Sequence, residues 1–86
     1  MSMKTGNQMK AARALIDWNQ KQLADAARVN VNTIRAMEGR GQESFVSGFD
    51  TVQKVEAALI AAGVIFIAEN GGGAGVRLAK ARDAAK

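Results

Sequence analysis

Residues 19–39, NQKQLADAARVNVNTIRAMEG, constrain the chain more than any other stretch. They hold two short helical patterns either side of a tight break, and each pattern opens on its own cap. Asn19 can accept from the amides of the first turn, and Gln22, three residues on, can reach back to the amide of Asn19, a capping-box spacing. Asn30 repeats the cap for the second segment, directly after Val29. Leu23, Ala24 and Ala27 share one face of the first helix, and Ile34 and Met37 one face of the second. With Val29 between them, the two faces can close on one small core, and Gly39 offers a stop.

Two capped helices a few residues apart, the second with polar and basic residues outside, describe a helix-turn-helix. The segment resembles the helix-turn-helix of the Cro/CI-type (XRE) family of small bacterial and phage DNA-binding regulators. The residues that carry the likeness are Gln20, Leu23-Ala24, Val29, Asn30, Ile34, Met37 and Glu38. The family usually has Gly in the turn, where this chain has Arg28; a left-handed non-Gly residue there costs about 1 kcal/mol. The resemblance implies a mainly α fold, a four-helix lambda-repressor-like domain, and a pairing of Arg13 with Glu38 that ties the first helix to the third. Losing one partner of such a buried pair typically costs ~3–5 kcal/mol.

Along the chain, residues 1–4 read as a disordered tail and residues 5–62 as the helical domain, with helices over about 6–17, 20–27, 31–38 and 50–62. Thr5 with Gln8 and Asp50 with Gln53 have capping-box spacing at the first and fourth helix starts. Met9, Ala12 and Ile16 stripe the first helix, and Trp18 is expected to pack at its exit. Phe45 and Val46 interrupt a polar loop and are expected to pin it to the core. Val52, Val55, Leu59, Ala58 and Ala62 point the fourth helix inward.

From Val64 the period changes. Val64-Ile65-Phe66-Ile67, then Asn70-Gly71 and a glycine run, then Val76-Arg77-Leu78, predict an antiparallel β-hairpin over 63–78. The glycines lack the Lys-Ser/Thr of a phosphate loop and the helix of a dinucleotide site. A lone hairpin is marginal in water and leaves an unpaired edge. Pairing through Val64, Ile65, Phe66, Ile67, Val76 and Leu78 with a second copy would answer both needs. Residues 61–78 also resemble the C-terminal extension of a compact subgroup of the same family. Residues 79–86 form a basic, Ala-rich tail, expected to be disordered, with DNA contact as the alternative.

Eighty-six residues make one small domain, which buries only about 60–65% of its unfolded surface. The net charge is +4 and unevenly spread. Residues 1–40 carry seven basic against three acidic side chains; residues 41–76 carry Lys54 against Glu43, Asp50, Glu56 and Glu69; residues 77–86 are basic again. A basic helical half beside an acidic middle fits a polyanion-binding face with a separate surface behind it. Without histidine, cysteine or clustered carboxylates, no acid–base, cofactor or metal site is expected, and the chain is not expected to be an enzyme. No apolar stretch nears ~20 residues and no signal peptide is visible, so a cytoplasmic protein is expected.

A helix over 31–38 in the major groove would turn Val31, Asn32, Arg35 and Ala36 toward base edges. Asn32 suits a bidentate contact with adenine, Arg35 one with guanine or a hold on a phosphate, and Val31 and Ala36 a thymine methyl. Asn19, Gln20, Lys21, Thr33, Arg40 and Arg28 are the phosphate candidates; Asn30 is chiefly a cap. A homodimer on an inverted repeat, built by the hairpin and the fourth helix, follows from the shortness of one reading helix. The function so implied is that of a sequence-specific regulator of double-stranded DNA, most simply a repressor and autoregulator of a phage, plasmid or integrated element. The alternative is an antitoxin-like or anti-activator module that acts through a partner protein.

Overall fold

The computed structural model describes residues 3–79. They form four helices, α1 (Gly6–Leu15), α2 (Gln20–Ala27), α3 (Val31–Gly39) and α4 (Phe49–Ala61), followed by strands β1 (Val64–Ile67) and β2 (Gly75–Leu78). Among the described residues no helix is long and apolar enough to cross a membrane.

Side-chain caps set the helix starts. Thr5 accepts the Gln8 amide at 3.2 Å, while Gln8 Oε1 accepts the amides of Lys4 and Thr5 at 2.7 and 3.2 Å. α1 stops at Leu15, two residues short of expectation, because Asp17 turns left-handed (φ 58°). The Arg13 carbonyl accepts from both Ile16 and Trp18, and this turn swings the Trp18 side chain onto the core. At the end of α3, Gly39 is still helical and the left-handed residue is Gly41 (φ 61°).

Three expectations about the ends and loops are corrected. Met3 is no frayed residue: it is buried, and its amide donates to Glu56 Oε2 on α4 at 3.1 Å. Met1 and Ser2 lie outside the described residues, as does the tail beyond Ala79. Phe45 packs against the core, but Val46 is 77% exposed. α4 begins at Phe49 from Gly48 with no side-chain cap, so the Asp50–Gln53 box is not formed. Asp50 sits inside the first turn, where its charge still complements the helix dipole.

The core is one cluster. Met9, Leu23, Ile34, Met37, Val55 and Leu59 are essentially solvent-free at its centre. Gly6 lets α1 and α3 touch, since a Cβ there would come within 2.8 Å of Glu38 Cα and closer still to the Met37 carbonyl. Gly63 (φ 105°) turns α4 into β1, and its carbonyl accepts the Ala79 amide at 2.7 Å, closing the hairpin base. β1 and β2 pair antiparallel with Phe66 opposite Val76 and Ile65 opposite Arg77, leaving residues 68–74 as a loop longer than a tight Asn-Gly turn. One hairpin face, Val64, Phe66, Val76 and Leu78, lies on the helical core; Ile65, Ile67 and Arg77 occupy the other.

Candidate nucleic-acid interface

The candidate site is built on α2, the turn and α3. Asn19 Oδ1 accepts the Gln22 amide at 2.7 Å, and Gln22 Oε1 accepts the Asn19 amide at 2.8 Å. α2 ends on Arg28 in the left-handed conformation (φ 60°, ψ 46°). The Val29 amide then returns to the Ala24 carbonyl at 3.0 Å, the hydrogen bond of a Schellman ending. Val29 packs against the core, and Asn30 Oδ1 accepts the Asn32 amide at 2.7 Å to open α3. The usual glycine of such a turn is therefore replaced by a residue that bears the left-handed cost.

The inner side of this unit is fixed by a buried carboxylate. Glu38 Oε2 accepts from Arg13 Nε at 2.7 Å, and Glu38 Oε1 accepts from Arg13 Nη2 at 2.8 Å and Gln20 Nε2 at 3.0 Å. Arg13 Nη1 donates to the Trp18 carbonyl at 3.0 Å. The two side chains keep only 19% and 2% of their surface. The hydrogen bond to Glu38 raises the Arg13 pKa above its ordinary value, against the opposing effect of burial. One carboxylate thus joins α1, α2 and α3. The Gln20 amide, expected to meet a phosphate, donates one N–H to Glu38, whose buried oxygens need donors, and keeps a second N–H. A phosphate at this end of α2 would meet backbone amides.

The outer side is polar and cationic. Asn32, Arg35 and Ala36 are exposed; Val31 and Thr33 are half-buried, Val31 because it packs against the core. Arg35 Nη1 donates to Asn32 Oδ1 at 2.8 Å. Arg28 is exposed, and among the described residues neither Arg28 nor Arg35 has an ion-pair partner. The two other cationic candidates, Lys21 and Arg40, are engaged. Lys21 meets Asp25 at 2.8 and 2.9 Å, both well exposed, a pairing of small energetic weight that a phosphate could replace. Arg40 Nε donates to the Ser44 carbonyl at 3.0 Å and Arg40 Nη2 lies 3.5 Å from Glu43, so Arg40 fastens the loop after α3. Asn19 is exposed, with its oxygen already in the cap.

Contacts that went unread in the sequence include Gln20 with Glu38 and Asn32 with Arg35. The second had a signal, an i,i+3 spacing on one helix; the first joins residues 18 apart and had none. Of the residues expected to meet a second copy, Val64 and Phe66 are 1% and 8% exposed within the protomer's own core. The side chains left for a partner copy are Ile65 and Ile67 on the outer face, with Val76 and Leu78 half-buried at the margin. Among the described residues no group of three or more acidic side chains is placed to hold a metal ion. No family model matches the chain, and no curated protein matches it.

Proposed function

We propose that this chain is a Cro/CI-type regulator that binds double-stranded DNA as a two-fold homodimer on an inverted repeat. α3 enters the major groove, Asn32 and Arg35 meet base edges, and Arg28, Lys21 and the amides at the start of α2 hold phosphates. The observation that carries this reading is the two-sidedness of α3. Glu38 anchors one side through Arg13 and Gln20, while Asn32, Arg35 and Ala36 stand exposed on the other beside Arg28, which has no ion-pair partner among the described residues. A helix fixed from behind with a cationic, hydrogen-bonding front is suited to groove recognition. The dimer forms through the outer face and free edge of the hairpin. Regulation is by promoter occlusion in the cytoplasm, with the protein's own concentration as the control, in the setting of a phage, plasmid or integrated element that the family resemblance implies; no enzymatic step is involved.

The test is a selection from randomised duplexes, followed by titration of the best duplex with Asn32→Ala/Arg35→Ala protein. Both side chains are exposed, so the variant folds, and its affinity drops at least about tenfold. Unchanged affinity in a folded variant rules the reading out. One observation favours a second reading: Val46 and Phe49 are 77% and 67% exposed, an apolar pair that a protein partner could cover. An antitoxin-like or anti-activator module would then need that partner, and the pure chain would shift no DNA.

A further inference from the structure

Asn32 and Arg35 stand three residues apart on α3, on one side of the helix. Long helical side chains lean toward the N-terminus. The Arg35 guanidinium does so, and its Nη1 donates to Asn32 Oδ1 at 2.8 Å. No carboxylate competes for it among the described residues.

This contact changes what Asn32 offers. A lone asparagine amide presents an acceptor and two donors, which matches adenine, with its N6 amino donor and N7 acceptor. With Oδ1 turned to Arg35, the group left facing outward is the Nδ2 amino group. Beside it are the guanidinium N–H groups that Arg35 has not used. Oδ1 keeps a second lone pair, but with one taken by Arg35 the groups the pair turns outward are chiefly donors. In the major groove, guanine (O6, N7) and thymine (O4) present acceptors alone, whereas adenine and cytosine each set an amino donor against it.

We infer that Asn32 and Arg35 read DNA as one hydrogen-bonded unit that selects neighbouring keto bases, guanine under Arg35 and guanine or thymine under Asn32, in place of the adenine Asn32 alone would suit. This rests on the DNA-binding reading above. Asn32 is then a specificity residue whose preference is set by its neighbour.

Parallel selections with the wild-type chain, Asn32→Ala and Arg35→Ala test it. The position that loses its preference in Asn32→Ala is the one Asn32 reads. There the wild type prefers guanine or thymine over adenine by about tenfold. Arg35→Ala frees Oδ1, and the preference at that same position moves to adenine. Wild-type protein choosing adenine there overturns the inference alone, as does a preference that Arg35→Ala leaves unmoved or one that Asn32→Ala leaves intact. Enrichment of no duplex by the wild type overturns the DNA-binding reading, and this inference with it.

Discussion

Glu38 takes a carboxylate into the interior with 1% of its surface exposed, and its two oxygens receive three side-chain donors. Such a group stabilises only while its partners are present. Glu38→Ala leaves the Arg13 guanidinium and the Gln20 amide without their acceptor, so a loss of ~3–5 kcal/mol is expected. At about 4–8 °C per kcal/mol for a domain of this size, thermal melting should fall by at least about 12 °C. A melting point within a few degrees of wild type would show the pair to be ornamental. Since Arg13 has its pKa raised in the fold, its contribution is complete below the unfolded value and lost only as pH climbs through the folded one. That places the loss far to the alkaline side, so Arg13 adds no pH dependence near neutrality. Arg28 is the opposite kind of residue, one whose backbone is strained and whose side chain is exposed with no ion-pair partner among the described residues. Arg28→Gly removes the left-handed penalty and should stabilise the chain by about 0.5–1 kcal/mol in urea unfolding. If Arg28 holds a phosphate, the same variant binds DNA more weakly; stability and affinity then move in opposite directions, which a merely structural role does not produce.

Among elements, the hairpin is the one whose role the structure changes most. Phe66 is 8% exposed against the helices, so the hairpin is part of the protomer's core before it is anything else. Phe66→Ala should cost about 3–5 kcal/mol relative to wild type at every protein concentration. Ile67→Ser, on the outer face, should leave the folded protomer intact and act only on self-association. If Phe66→Ala loses stability only at low concentration, the hairpin belongs to the dimer alone. The helices were legible because their caps are local: Thr5 with Gln8 and Asn19 with Gln22 need only three residues of context. The hairpin was legible because β-branched and aromatic residues flank a glycine run. Which face of it turns inward was not, since Val-Ile-Phe-Ile is apolar on both sides and alternation gives no direction. Met3 was hidden for a similar reason, as its burial depends on Glu56, 53 residues away. At the candidate site, the exposed Asn32 and Arg35 followed from helical periodicity, while the fate of Gln20 required the third dimension.

At the scale of the whole molecule, positive charge collects on the helical half and is thinned by acids in the middle of the chain. On the proposed DNA-binding reading, the helical half would carry the polyanion contacts. Neutralising roughly 6–10 phosphates per dimer would lower affinity by ~10³–10⁵ between 50 and 200 mM salt. The slope of that dependence also counts protomers. Each phosphate contact contributes about 0.9 to the slope of log affinity against log salt on duplex DNA. A two-fold dimer carries Arg28 twice, so Arg28→Ala should make the slope shallower by about 1.8; a bound monomer would lose about 0.9. Fluorescence anisotropy on one duplex, at four or more salt concentrations, separates the two. No change in slope would remove Arg28 from the phosphate backbone. A change of about 0.9 would keep the contact and discard the dimer, leaving the inverted repeat without a symmetric reader. The larger change requires two copies of the turn on one duplex, and α3 is then brought to the groove twice by a fold that could not span an operator with a single reading helix.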